Sequence, residues 1–201
     1  MWGLIAIVIV LACASAAPAE DACVQHTREA WAICQSTTTT DPVRRMEELE
    51  RGMALANAAI AANLRHARAH FALFCNQAKQ LELAGLSWRS LERLKRAKES
   101  IGQALALAPD DPDILAAKGE MLRQLPRVLG GDTDEAERLF RRALARDPNH
   151  LASRLFLARL LVHDERNTAA AEVARAIELA DQRGTPEDRA VAHGLAEDLG
   201  Q

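Results

Sequence analysis

The sequence predicts an all-α fold, an α-solenoid of three to four helix pairs with two insertions inside the pairs. Three observations carry that expectation. The 201 residues are dominated by Ala, Leu, Arg and Glu and contain no Tyr, four Phe and three Trp. Such a composition favours helix over strand, because straight-chain residues lose little freedom in a helix while strands draw on β-branched and aromatic residues. A spaced set of small and large apolar residues recurs along the chain, and capping residues stand directly before prolines near each recurrence. The length suffices for a real core. A net charge of −3 points to neither nucleic acid nor an acidic substrate.

The first element, residues 1–19, reads MWGLIAIVIVLACASAAPA and carries no charged side chain. Its apolar run from Leu4 to Ala12 has the size of a signal-peptide core. Ala14-Ser15-Ala16 and Ala17-Pro18-Ala19 both fit the small-x-small rule for cleavage. The run is short for a membrane span of ~20 residues. A cleaved export signal is the expected reading, although the usual basic start is missing. Val10-Leu11-Ala12-Cys13 resembles a lipobox, so a lipid anchor at Cys13 is a second reading, and an uncleaved anchor a third. Each places the body of the protein outside the cytoplasm, periplasmic or secreted, with membrane contact only through the N-terminus.

Export permits disulfides. Cleavage after Ala19 leaves Cys23, Cys34 and Cys75. A helix over 22–35 would set Cys23 and Cys34 ~16 Å apart along its axis, too far to bridge. Either could pair with Cys75, or all three could be small buried residues. Residues 20–41 are expected to be an N-terminal helix and a polar linker, QSTTTT, ahead of a repeat array over 42–201 with a C-terminal capping helix.

The repeat is clearest at Ala136, Phe140, Ala143 and Pro148. The same offsets recur at Ala97, Ile101, Ala104 and Pro109, more weakly at Ala169, Val173, Ala176 and Asp181, and in eroded form at Gly52, Ala56, Ala59 and Leu64. The small residues let two helices touch, the large residue fills the gap beside them, and Pro cannot continue the helix. Ten residues past three of the terminators stand Phe74, Gly119 and Ala158, with Leu122 and Leu161 three residues beyond the last two. These marks resemble the tetratricopeptide repeat. Successive units start 45, 39 and 33 residues apart. Against a repeat of 34 this implies insertions of about 11 and about 5 residues. They fall in ELAGLSW and LPRVLGG, each between the first and second helix of a unit.

Start signals agree. Asp41-Pro42, Asp111-Pro112 and Thr185-Pro186 each place a cap before a Pro at the first helical position. Asp132 and Glu135 resemble a capping box. Helices are expected near 22–35, 42–62, 66–84, 88–107, 112–125, 133–146, 151–163, 168–183 and 186–199, the last covering the apolar end of the stack.

With the repeats placed, HARAHFAL, the insertion GLSWRSLERLKRAKESIGQALALAPDDP and KGEMLRQLPRVLGGDTDEAERLFRRALARDP resemble, in that order, the exported repeat proteins related to the T-component of TRAP transporters. They also resemble the regulator-of-microtubule-dynamics group. Both share LP…GGD before a second repeat helix, and the resemblance spans roughly 45–180. It implies a protein partner, which in the transporter setting is the periplasmic substrate-binding protein.

Candidate chemistry is sparse. Gly130-Gly131-Asp132 could cradle a phosphate, but a carboxylate in the cap position competes for the same amides and repels an anion, and no Lys follows. Pro126, Gly130, Gly131 and Asp132 therefore read as a repeat boundary, with both glycines free to take positive φ. His66 and His70 share a helical face, yet lack the Glu of HExxH, and His70 falls at an inward packing position. The basic run Trp88-Arg89, Arg93, Lys95-Arg96 and Lys98 reads as a solvated face with i,i+4 pairs. Cys75 stands at the wrong helical offsets from His66 and His70 for a dyad. No catalytic, cofactor or metal residue is assigned, and the protein is not expected to be an enzyme.

The remaining candidate is the groove that first helices line in a repeat stack. The resemblance puts Arg68, Phe71, Cys75 and Lys79 there, then Glu120, Arg123 and Gln124, then Leu155, Arg159 and His163. Lys79, Arg123 and Arg159 would favour a carboxylate or an acidic peptide end. The expected function is binding or scaffolding at the cell envelope, with carriage of a small anionic or amphipathic ligand as the alternative.

Overall fold

The computed structural model describes residues 16–36, 39–85, 90–162 and 166–200. The expected signal segment up to residue 15, and Trp88, Arg89 and His163, lie outside them. Among the described residues there are nine α-helices, α1 (Ala16–Gln35), α2 (Pro42–Ala62), α3 (Ala67–Ala84), α4 (Ser90–Leu107), α5 (Pro112–Gln124), α6 (Thr133–Arg146), α7 (Leu151–Leu161), α8 (Arg166–Arg183) and α9 (Pro186–Gly200), with one 3-10 turn, Arg127–Leu129, between α5 and α6. None of these helices is long and apolar enough to cross a membrane. The protein divides into two compact units, residues 1–100 and 101–201, and the boundary falls inside α4.

The caps form as their side chains dictate. Asp41 accepts from Val43 N–H at 3.0 Å, Asp111 from Asp113 and Ile114 N–H at 3.0 and 3.3 Å, and Asp132 from Glu135 N–H at 2.9 Å. Thr185 and Asp188 exchange hydrogen bonds in a closed box. Two further caps are imidazoles. His66 Nδ1 accepts from Ala69 N–H at 3.2 Å and His150 Nδ1 from Ser153 N–H at 3.4 Å, each satisfying an amide that the first helical turn leaves orphaned.

The first unit is built on α1, α2 and α3, with α1 packed against both of the others. Ala30, Ala56, Ala72 and Leu73 form its buried centre, flanked by Trp31, Met53, Leu55 and Ile60. The buried amide of Asn76 ties two helices together: Nδ2 donates to Ala30 O of α1 at 2.9 Å and to Ala72 O of α3 at 2.8 Å. Its Oδ1 has no hydrogen-bond partner and lies against Gly52 of α2. A Cβ at position 52 would come within 2.7 Å of Asn76 Cγ, so the smallest repeat mark is set by a polar crossing. Arg45 of α2, 9% exposed, reaches the end of α1 and donates to Ile33 O and Cys34 O at 2.9 Å each. A disulfide joins Cys34 of α1 to Cys75 of α3 with 5.9 Å between the Cα atoms. Cys23 is a buried thiol whose Sγ sits 3.3 Å from Ala59 O.

In the second unit, Leu115, Leu122, Ala136, Leu139, Phe140, Ala143, Leu157, Leu161 and Ala169 form one core cluster. A second, around Leu155, Ala158, Val173, Ala176 and Ala192, passes the burial on to α9. Every small and large repeat mark is buried, from Gly52, Ala56 and Ala59 to Ala169, Val173 and Ala176. The reason is steric. A Cβ at Gly119 of α5 would stand 2.6 Å from Cε1 of Phe140 of α6, so Gly119 admits the ring that fills the crossing.

Of the first insertion, Glu82, Leu83 and Ala84 lie in α3, as the expected helix over 66–84 has it, and Gly85 caps the helix with φ +67°. The LPRVLGG segment is a hydrogen-bonded turn. Leu129 N–H and Gly131 N–H both donate to Pro126 O, Gly130 N–H donates to Arg127 O, and Asp132 N–H reaches back to Leu122 O. Only Gly130 of this turn takes positive φ, at +82°. Gly131, expected to share that freedom, instead lies so close to Leu125 O that no Cβ fits.

Candidate binding surface

In the first unit the expected row is largely occupied. Phe71 is 4% exposed, tucked under the Trp31 ring at 5.0 Å between centroids, with the Arg68 guanidinium 5.8 Å from its own centroid. Cys75 is spent in the bridge to Cys34, and Gln35 Nε2 rests 3.7 Å from its sulfur. Lys79 is exposed and pairs with Glu82 at 3.0 Å. Phe71 and Cys75 therefore do not line an open groove, because α1 supplies Trp31 and Cys34 to cover them. His70 does not point inward as expected. Ala69 takes the buried position, and His70 Nε2 meets Leu64 O at 3.1 Å.

In the second unit α7 packs against both α5 and α9, and the predicted residues of α5 and α7 converge on one carboxylate. Arg123 donates to Glu120 through Nε at 2.7 Å and Nη2 at 2.8 Å, a bidentate pair that is the strong form of such a contact. Gln124 Nε2 adds a 2.7 Å bond to the same oxygen that Arg123 Nη2 uses. Arg159 approaches from α7 at 3.9 Å. Glu120 and Arg123 are 13% and 23% exposed, so the pair is screened from water. The Glu120 hydrogen bond holds the guanidinium of Arg123 more firmly protonated than usual. Leu155, expected in the same row, is 4% exposed and belongs to the core. Between α7 and α9 lies a pocket of about 410 Å³ lined by Arg159, Val162, Val191, Gly194, Leu195 and Asp198.

A Ser, His and Asp meet at the start of α7, a set that no sequence motif marks. His150 Nδ1 lies 2.8 Å from Ser153 Oγ and Nε2 lies 2.9 Å from Asp113 Oδ1. Ser153 is fully buried, so its hydroxyl cannot reach a substrate carbonyl as a nucleophile must. The imidazole caps α7 and ties its start to α5. Asp113 and Ser153 lie 40 residues apart, and His is not among the preferred cap residues, so no local pattern announces the constellation.

Alternating first and second helices, buried small residues at each crossing and a closing helix with a polar outer face define a tetratricopeptide-like α-solenoid. Residues 129–197 match the tetratricopeptide-repeat family. Among solved structures, the protein is similar to TTC0263, a thermophilic tetratricopeptide-repeat protein of Thermus thermophilus, with 18% identity over 93% of this chain and 100% of that one and a TM-score of 0.60. It is also similar to YrrB, described as a tetratricopeptide-repeat protein with an unusual peptide-binding site, with 18% identity over 78% of this chain and 79% of that one and a TM-score of 0.47. At this identity the likeness concerns the fold alone. No curated protein matches the sequence.

Proposed function

We propose that this is an exported helical-repeat scaffold that binds a protein partner at the cell envelope through the first-helix row of its second unit. The observation that carries the reading is the Glu120 cluster. Glu120, Arg123 and Gln124 form a hydrogen-bonded polar patch on α5 that Arg159 of α7 approaches at 3.9 Å, on the row a repeat protein offers to partners. Because Arg123 is already neutralised by Glu120, the row carries less free positive charge than its sequence suggests. A peptide segment with mixed donors and acceptors fits it better than a free anion. The buried Ser153 argues for binding over catalysis.

Export is supported by the Cys34–Cys75 bridge, since such bonds persist in oxidising compartments. The LP…GGD turn supports kinship with the transporter T-components and makes a solute-binding protein the candidate partner. Capture from an envelope extract tests the reading. The wild-type protein should retain one stable partner that an Arg123→Glu/Arg159→Glu variant of unchanged circular dichroism loses. Equal retention by both would exclude this surface, and recovery of the protein only in the cytoplasmic fraction would exclude export. The second reading, carriage of a small amphipathic ligand, is favoured by the pocket between α7 and α9.

A further inference from the structure

The α7–α9 pocket has a lining more specific than a general groove. Among the described residues its charged members are one cation, Arg159, and one anion, Asp198; its apolar members are Val162, Val191 and Leu195. Leu195 is buried, Val162 and Val191 are half-buried, and Asp198 is exposed. The volume of about 410 Å³ falls in the ~300–1,000 Å³ range of small-molecule sites. Arg159 is 38% exposed and holds Glu120 only at 3.9 Å, so its guanidinium can turn to a second carboxylate without breaking a tight pair.

Gly194 adds an independent observation. It sits inside α9, where Gly costs about 1 kcal/mol relative to Ala. Its φ is not positive, and a Cβ built there meets nothing within 4 Å. Neither backbone conformation nor packing demands a glycine at this wall. What the missing side chain preserves is the open volume of the pocket.

We infer that this pocket takes a free apolar α-amino acid as its zwitterion. The ligand carboxylate pairs with Arg159, its ammonium with Asp198, and its side chain lies on Val162, Val191 and Leu195. The paired charges set the class. A purely anionic ligand would face Asp198 uncompensated, and a polypeptide end carries only one of the two charges. The inference rests on the carrier reading of this surface and does not need the scaffold reading.

Titration calorimetry of the full-length protein with L-leucine, N-acetyl-L-leucine and L-leucinamide tests it. L-leucine should bind saturably, and each analogue, lacking one charge, should bind at least about tenfold more weakly. Arg159→Gln and Asp198→Asn should each weaken leucine by about tenfold. Gly194→Leu, which fills the pocket from a position with room for a side chain, should abolish binding without lowering the thermal midpoint. N-acetyl-leucine binding as well as leucine would overturn the proposal in favour of a polypeptide's carboxyl end. Leucinamide binding equally would overturn it in favour of an amino end. No binding of leucine at about 10 mM, or full binding by Gly194→Leu, would overturn it outright. Either failure would leave the scaffold reading to stand or fall on partner capture.

Discussion

A single methyl group separates a working helix crossing from a blocked one at Gly119. The Phe140 ring stands 2.6 Å from where that carbon would be and is itself fully buried, so it has little room to move. Gly119→Ala should therefore destabilise the protein by about 1–3 kcal/mol, the usual cost of overpacking, although alanine is the better helix former. Gly194→Ala, in open space, should instead stabilise by about 0.5–1 kcal/mol. Urea unfolding of the two variants checks the opposite signs. At the surface, Asp110 accepts hydrogen bonds from Arg142 and Arg146 of α6. The Arg142 hydrogen bond, with Arg146 assisting, holds its carboxyl below the usual carboxylate range. A carboxyl depressed in the folded state adds stability above its unfolded pKa of about 4 that is lost as pH falls through the folded value. Asp110→Asn should thus flatten the fall in urea midpoint below pH about 4 and leave a smaller difference in high salt. The aspartate and threonine caps were legible one residue at a time, because their side chains match orphan amides locally. His66 and His150 were not, since an imidazole caps only when neighbouring side chains hold its ring in place.

At the scale of the element, α1 shows where local pattern stops being informative. Its helical run could be read from the sequence, but QSTTTT reads as a linker and hides that α1 packs on α2 and α3. That docking is decided by partners far along the chain: the Asn76 amide on Ala30 O, the Arg45 guanidinium on Ile33 O and Cys34 O, and the bridge to Cys75. Cysteine spacing excluded a Cys23–Cys34 bridge but could not choose between Cys23 and Cys34 as the mate of Cys75. The structure makes the choice by packing Cys23 beside Ala59 and Cys34 beside Cys75. Closing a loop of 41 residues stabilises by at most about 4 kcal/mol on the chain-entropy view. Reduction, or Cys34→Ser, should lower the free energy of unfolding measured in urea by up to that amount. Hydrogen exchange should rise first in α1, because its last turn loses the covalent tether to α3 and keeps the Arg45 hydrogen bonds to Ile33 O and Cys34 O.

At the scale of the molecule, the repeat marks made the solenoid legible because each is a steric necessity at a helix crossing. The candidate surface was legible only in part. Glu120, Arg123, Gln124 and Arg159, which the resemblance puts in one row, meet in the structure, yet the row could not foretell that Glu120 neutralises Arg123, nor that Trp31 and a disulfide cover Phe71 and Cys75. Those outcomes depend on side-chain pairing across helices, which a single sequence position does not encode. The proposed function has a partner dock on the first-helix row of the second unit. Photo-cross-linking in the native host tests this docking, with a benzophenone amino acid placed at Gln124 on that row or at Arg138 on the exposed face of α6. One discrete protein adduct is expected from position 124 and none from 138. Adducts of the same pattern from both positions, or from 138 alone, would contradict it.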